Sequence, residues 1–251
     1  MSYIPASIGL HLYSAFAMKT LLLFAAMTAV SFASCTAQAQ VKQPRQLSDF
    51  QKVSSSGGID VVLTQGATAS VVVEAASEAQ EHIVTEVKGG TLQIGWERDY
   101  SWRNLLSNKR KVLVYITCPK LPGLSLSGGA DAKGLSNFSA DDFRIDASGG
   151  SNVKLSLDAK TLTIQASGGS DVALAGRVEH QKVDVSGGSD YNGFDLKSTT
   201  ASVNASGGSD VTLSVDSEIS SNASGGSDIR YKGNPRVAKS SSGGSSVRRA
   251  E

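Results

Sequence analysis

The sequence predicts an all-β protein, a right-handed parallel β-helix or closely related β-solenoid with about 18–21 residues per coil. Ser-Gly-Gly begins at residues 127, 148, 167, 186, 206, 224 and 242, which is a nearly constant interval. Between these turns lie short runs in which β-branched and polar residues alternate with a period of two, the signature of strands. No stretch of ten or more residues beyond residue 39 has helical periodicity.

Each repeat is expected to hold two short strands joined by tight turns. A single unit has too little apolar surface to bury itself, so stacked units must share one continuous core. At roughly 3.3 Å per residue, one unit gives a perimeter of about 60 Å, which fits a coil of two or three faces. The alternation predicts these inward side chains: Val153, Leu155, Leu157, Leu162, Ile164, Ala166, Val172, Leu174, Val183, Val185, Val211, Leu213 and Val215.

Composition agrees with a thin repetitive fold. The chain is 40% hydrophobic but only 6% aromatic, so large core side chains are scarce and Val, Ile, Leu and Ala must fill the interior. Residues 48–120 are less regular than residues 121–247, with longer strand-like runs and a further Ser-Gly-Gly at 56. We expect one domain over residues 40–247, followed by a tail at 248–251.

Residues 1–39 have the pattern of a signal peptide. Lys19 opens a basic region, residues 21–32 form an apolar run, and Ala-Gln-Ala at 37–39 matches a cleavage site. Met18 is a second candidate for the start. The alternative processing route makes Cys35 a lipidated N-terminus, which would be the protein's attachment to a membrane. Either route predicts an exported protein of the periplasm, outer membrane or cell surface.

Charge and cysteine content exclude several classes of partner and fold. Lys19 is the one formal charge in residues 1–39, so removing it leaves 23 of the 24 Lys and Arg against 23 Asp and Glu. A net charge of zero gives no global field to attract nucleic acid or anionic lipid. Beyond the leader Cys118 is the sole thiol, which excludes a disulfide framework.

One segment departs from the repeat and is the best candidate for ligand contact. The run WERDYSWRNLLSNKRK at 96–111 contains both tryptophans of the chain, together with several basic residues. Aromatic and arginine side chains are favoured at recognition surfaces. The alternative is a long hairpin loop that plugs the end of the solenoid. The candidate ligand-binding residues are Trp96, Arg98, Tyr100, Trp102 and Arg103.

Aspartate follows most of the Ser-Gly-Gly turns and would form a column in stacked coils. Asp171, Asp190, Asp210 and Asp228 would then lie about 4.8 Å apart and repel one another. Solvent, hydrogen bonds or a bound Ca²⁺ ion could relieve that repulsion, so these four residues are the candidate metal ligands. A structural turn is the favoured interpretation, because Asn152 and Ser246 occupy the same place without a charge.

The sequence does not predict an enzyme. His82 and His180 lack the paired spacing of a metal site, and there is no nucleophile elbow, phosphate loop or dinucleotide fingerprint. Glycoside hydrolysis needs two carboxylates in different environments, and no acidic pair interrupts the repeat. The alternative is a carbohydrate-active β-helix enzyme, that is, a polysaccharide lyase or hydrolase.

Several segments in order resemble a known family. FQKVSSSGGIDVVLTQG at 50–66, then GGTLQIGW, KVLVYITCPKLPGLSLSGGAD and serial ASGGSD are similar to the head GIN domain family, proposed heads of autotransporter adhesins in Gram-negative bacteria. The resemblance covers about residues 48–232. It implies an exported β-helix with an adhesive or surface role, no catalytic residues, and a glycan or a surface or matrix protein as partner. A purely structural envelope protein is a further alternative.

Overall fold

The structure is a computed structural model, and it describes residues 40–98, 100 and 111–250. These residues form one 16-stranded sheet and one short helix, α1 (Ser77–Gln80). The strands that precede the regular coils are β1 (Gln40–Pro44), β2 (Lys52–Ser56), β3 (Asp60–Gln65), β4 (Ser70–Ala76), β5 (Ile83–Lys88), β6 (Thr91–Trp96), β7 (Leu113–Cys118) and β8 (Gly123–Ser127). No helix in the described ranges is long and apolar enough to span a membrane.

The regular coils confirm the predicted parallel β-solenoid. Their strands are β9 (Ala132–Ser148), β10 (Asn152–Ser167), β11 (Asp171–Val185), β12 (Asp190–Ala205), β13 (Asp210–Ala223), β14 (Asp228–Lys232), β15 (Arg236–Ser241) and β16 (Ser246–Arg249). Consecutive coils pair in parallel, and the ladder aligns the residue after each turn with its counterpart in the next coil. The aligned residues are Asn152, Asp171, Asp190, Asp210, Asp228 and Ser246.

Each coil from β9 to β13 is one long strand with a bend, so the expectation of two short strands per unit is wrong there, whereas the next coil does hold two short strands, β14 and β15. Strand β10 runs without interruption from one Ser-Gly-Gly turn to the next. Its ladder with β11 lapses only at Lys160 and Glu179, where the strand changes direction. One tight turn and one bend therefore close each coil, and the bend carries no glycine or proline signal in β10.

The predicted inward side chains are all buried. From Val153 to Val215, each residue named above for the interior is at most 3% exposed. Burying one such aliphatic side chain contributes roughly 1.5–3 kcal/mol, and the shared core extends without a break along the coils.

The Ser-Gly-Gly-Ser sequence forms the tight turn of the coil. Gly168 and Gly169 have φ angles of 70° and 80°, the left-handed values that a two-residue hairpin-type turn requires. Ser170 is fully buried, and its Oγ donates a hydrogen bond to the carbonyl of Ser167 at 2.9 Å. The serine hydroxyl thus satisfies a turn carbonyl that the ladder leaves free.

The first strands extend the same sheet but add antiparallel pairs. β2 and β3 lie parallel to their neighbours β6, β8, β7 and β9, and so continue the coil geometry. β1 pairs antiparallel with β4, β4 with β7, and β5 with β6. Helix α1 contributes the buried Gln80, whose Nε2 donates to the carbonyls of Val41 and Val73. This bond pattern fixes β1 against β4.

Candidate functional site

The aspartates after the turns form a ladder of hydrogen-bond acceptors between coils. Asp190 Oδ1 accepts the backbone amide of Asp210 at 3.2 Å, and Asp60 Oδ1 accepts that of Asp131 at 3.0 Å. Asp131 Oδ1 accepts both the backbone amide of Asn152 and its side-chain Nδ2. In these coils the carboxylate therefore ties one coil to the next.

Cations lie at the two ends of this ladder. Lys111 pairs with Asp60 at 2.8 Å, and the hydrogen bond to that carboxylate raises the pKa of the lysine. At the other end Ser246 Oγ donates to Asp228 at 2.6 Å, with Arg230 and Arg248 nearby. The serine bond, then the two guanidinium groups, lower the pKa of Asp228.

The four candidate metal ligands are in register but do not converge on one point. Asp171, Asp190, Asp210 and Asp228 are successive Cα partners along the ladder. Within the described ranges no group of three or more His, Cys, Asp or Glu could hold a metal ion. Calcium binding by this column stays a prediction.

Three of the five candidates in this segment are placed, and two of them, both aromatic, form a stack. The rings of Trp96 and Tyr100 lie 5.0 Å apart and are nearly parallel, and His82 stacks on Tyr100 at 4.4 Å. Trp96 is half-buried against the core, and its Nε1 donates to the Gly57 carbonyl at 2.8 Å. Arg98 is exposed. The stack thus covers the first Ser-Gly-Gly turn.

The other candidates of that segment lie outside the described residues. These are Trp102 and Arg103. The predicted signal peptide at 1–39, with Cys35, also lies outside the described residues. A binding role for the aromatic segment stays a prediction.

The largest concavity in the described part of the chain lies at the bends of the coils. This bend groove has a volume of about 1070 Å³ and crosses five consecutive coils, β9 to β13. Its lining is polar and contains no aromatic residue: Lys120, Pro122, Ser139, Ala140, Asp141, Asp142, Asp158, Ala159, Lys160, Arg177, Val178, Glu179, Lys197, Ser198, Thr199 and Asp216. At about 4.8 Å between strands, the bend groove is roughly 20 Å long.

One part of the bend groove is internally paired. Lys160 bonds Asp141 at 2.8 Å, which raises the pKa of the lysine and lowers that of the carboxyl. The charge of Glu179 adds a smaller upward effect on Lys160. Asp158 accepts a hydrogen bond from Asn137 Nδ2 at 2.6 Å. These contacts leave the carboxyl of Asp141 ionised.

A second part of the bend groove holds a stacked pair of cations, with Asp158 as the Cα partner of Arg177 on the side away from Lys197. Arg177 and Lys197 are Cα partners in adjacent coils, and both are exposed. Neither makes an ion pair or a side-chain hydrogen bond with any described residue. Two like charges in neighbouring strands repel, so this pair is a place where an anion would be favourable.

The floor beside these cations is fixed by a buried polar chain. Tyr191 is 1% exposed and its hydroxyl donates to Gln181 Oε1 at 3.0 Å. Gln181 Nε2 donates to Ser198 Oγ at 2.7 Å, and Ser198 Oγ donates to the Ser214 carbonyl at 2.8 Å. Burial raises the pKa of Tyr191. Each polar atom has a partner, which holds this floor rigidly.

The pKa of Asp141 in the bend groove is shifted away from the range of an acid catalyst. A glycosidase needs one carboxyl kept protonated by a raised pKa. The carboxyl groups with shifted pKa values, Glu74, Asp141 and Asp228, are all shifted downward. Cys118 is buried, and desolvation raises its pKa to about 11, which keeps the thiol protonated and unreactive.

A second, smaller depression has an apolar floor. It has a volume of about 450 Å³, and its floor includes the half-buried Val62, Leu113 and Ala173. Lys133 and Lys154, which are Cα partners in adjacent coils, stand at its edge beside Lys111 and three aspartates of the ladder. We call it the lysine-rimmed depression.

Sequence reasoning missed both concavities. The repeat interval places Asp158, Arg177 and Lys197 at corresponding positions, so their stacking could have been read from the alignment of the units. The bend that turns this column into the wall of a groove has no turn residues in β10. The grouping of five carboxylates along the bend groove was not predicted from the sequence either.

Comparison with known proteins identifies a family model and several structures of the same fold. The family model described as "Putative auto-transporter adhesin, head GIN domain" matches residues 49–235. No curated protein sequence matches the chain.

The similar structures share the fold at low sequence identity. A putative adhesin from Bacteroides fragilis is 22% identical, with a TM-score of 0.80 over 85% of this chain and 98% of that chain. A putative lipid binding protein from Parabacteroides distasonis is 19% identical, with a TM-score of 0.68 over 86% and 98%. A putative adhesin from Parabacteroides merdae is 16% identical, with a TM-score of 0.61 over the same shares. None of these descriptions names an enzyme.

Proposed function

Because the chain belongs to the head GIN domain family, we propose that it is an exported, non-enzymatic adhesion module of the cell envelope whose bend groove binds an extended hydrophilic ligand. The adhesin descriptions of the family and of two similar structures support the surface role. The signal-like sequence at 1–39 supports export.

The observation that carries the proposal is the course of the bend groove along the solenoid. It crosses five coils whose strands are joined by parallel ladders on both sides of the bend, so the backbone that carries its wall is held in place before any ligand arrives. A preformed surface loses little conformational entropy on binding, which favours affinity. A linear ligand lying along the axis would meet a new set of polar side chains at each coil.

Binding without catalysis suits the chemistry of the lining. Hydroxyl groups of Ser139 and Thr199 and the exposed carboxylates are hydrogen-bonding partners for a hydrophilic ligand. The lowered pKa of Asp141 is the opposite of what a general acid requires. We expect a bound polysaccharide to keep its full length after prolonged incubation with the protein. A shortened polysaccharide would favour the alternative of a polysaccharide-degrading enzyme.

An array of glycans and matrix proteins tests the proposal. Thr199→Trp places a large ring in the bend groove, whereas Ser202→Trp places the same ring on an exposed position of the same strand outside it. We expect wild type and Ser202→Trp to bind a common ligand, and Thr199→Trp to lose that binding while its melting temperature is unchanged. Equal binding by the two tryptophan variants would overturn the groove as the site.

A second candidate function is the binding of a small anionic amphiphile in the lysine-rimmed depression. The apolar floor at Val62 and Leu113 beside Lys133 and Lys154 favours it, and the Parabacteroides distasonis structure is described as a lipid binding protein. Dodecanoate is expected to bind wild type more tightly than the Lys133→Gln/Lys154→Gln double variant. Equal affinities, or tighter binding of uncharged dodecanol, would reject this candidate.

A further inference from the structure

The bend groove contains cations and carboxylates in separate roles, and this arrangement indicates a class of ligand. Resting on the function proposed above, we infer that the groove binds a polysaccharide with sparse acidic groups: one carboxylate per repeat, separated by neutral hydroxyl-bearing sugars. Arg177 and Lys197 would bind the acidic group, and the neighbouring carboxylates would accept hydrogen bonds from hydroxyl groups.

The cation pair accounts for the preference of the groove for a ligand with acidic groups. Arg177 and Lys197 face the same groove from adjacent coils and have no partner among the described residues. One carboxylate between them can accept charge-assisted bonds from both side chains, and so relieves their mutual repulsion. Ser198, which follows Lys197 in β12, lines the groove and is held through hydrogen bonds by Gln181 and Tyr191.

The carboxylates of the groove limit the charge density of the ligand. Asp141, Asp142, Asp158, Glu179 and Asp216 line it, against four cations, and Lys160 is already bonded to Asp141. A densely sulfated polymer would meet this negative charge along most of its length and be repelled. Neutral sugars between the acidic groups avoid this repulsion, because each hydroxyl donates to a carboxylate.

The lining favours a glycan over a protein. Protein interfaces depend on aromatic or large apolar side chains that fill pockets. The apolar residues of the bend groove are small, namely Pro122, Ala140, Ala159 and Val178. Charges and hydroxyls dominate, and the groove extends along the axis as a linear polymer does.

The test compares three oligosaccharides of equal length by calorimetric titration. Hyaluronan has one carboxylate per disaccharide, heparin is densely sulfated, and a maltose oligomer is neutral. We expect wild type to bind hyaluronan more tightly than the other two. Arg177→Gln/Lys197→Gln should weaken hyaluronan binding about tenfold or more, as expected for two lost charge-assisted bonds.

The matched control is Lys52→Gln/Arg236→Gln, which removes the same charge at two exposed positions outside the bend groove and outside the lysine-rimmed depression. It should leave hyaluronan affinity unchanged. Equal weakening by both double variants, or tighter binding of heparin, would overturn the inference. If wild type prefers the maltose oligomer or a matrix protein, and Thr199→Trp abolishes that binding, the inference is also overturned. The groove then remains the binding site. If the groove is not the binding site, Thr199→Trp and Ser202→Trp will bind the ligand equally well.

Discussion

The Oδ1 atom of Asp190 accepts a hydrogen bond from the backbone amide of Asp210, 3.2 Å away in the next coil. This contact gives the repeated aspartate a structural role that needs an acceptor but no charge. Asn152, at the equivalent position of another coil, donates its Nδ2 to Asp131 Oδ1, so an uncharged side chain also joins two coils here. The ladder therefore explains why most, but not all, of the turns end in an acid.

We predict that Asp190→Asn preserves stability whereas Asp190→Ala lowers it by about 1 kcal/mol, since only alanine removes the acceptor. Chemical denaturation measures both variants. Equal damage from the two substitutions would mean that the charge itself is needed. A rise in melting temperature with calcium that Asp190→Asn abolishes would show that the column binds a cation.

A close approach between the backbones of adjacent coils gives the second prediction. Gly176 has φ of 116°, and a Cβ at this position would lie 2.1 Å from the carbonyl oxygen of Leu157. Gly176→Ala should lower the free energy of unfolding by about 3 kcal/mol, through both the strained backbone and the clash. Gly208→Ala is the control, because its Cβ meets nothing within 4 Å and its φ is not left-handed. Comparable losses in the two variants would contradict the packing described here.

The third prediction concerns acid stability. The pKa of Asp228 is lowered below 3.8, mainly by Ser246 and then by Arg248 and Arg230. A carboxyl whose pKa is lower in the folded state stabilises the fold above its unfolded pKa, and this contribution is lost as pH falls through the folded pKa. Asp228→Asn should therefore be less stable than wild type at neutral pH, with the difference vanishing in acid. Melting temperatures across that range provide the measurement.

Ser246→Ala tests the cause of this pH dependence. It removes the largest contribution to the lowered pKa but keeps both arginines. The free energy of unfolding of Ser246→Ala should exceed that of Asp228→Asn by less than wild type does. As the pH falls, this difference should disappear at a higher pH than it does for wild type. An unchanged profile would assign the shift to the arginines instead.

The fourth prediction separates the aromatic stack from the bend groove. His82 and Trp96 both stack on the Tyr100 ring, so the ring faces available to a sugar are reduced. Tyr100→Ala should leave ligand binding in the groove unchanged and loosen the segment around Trp96. The rate of proteolysis measures the loosening around Trp96, and binding to the glycan and matrix-protein array measures ligand binding. If Tyr100→Ala or Trp102→Ala abolished binding instead, the aromatic segment would be the site.

The sequence predicted the interior of this protein better than its surface. Val153 and Leu155 could be assigned inward because a period of two places alternate side chains on one face, whatever the path of the coil. The groove at Arg177 and Lys197 could not, because the bend has no turn residue in β10, and a single glycine such as Gly176 in β11 does not identify a bend. Hydrogen bonds such as that of Asp190 also depend on register between coils, which the spacing suggests but does not fix.

Carbodiimide footprinting tests the central claim most directly, because it reports where the bound ligand covers carboxylates. Asp158 and Glu179 are exposed in the bend groove, while Asp190 and Asp210 are exposed on the ladder and serve as internal references. With the array ligand bound, labelling of Asp158 and Glu179 should fall and labelling of the ladder should be unchanged. Protection of the ladder with full labelling in the groove would contradict the account.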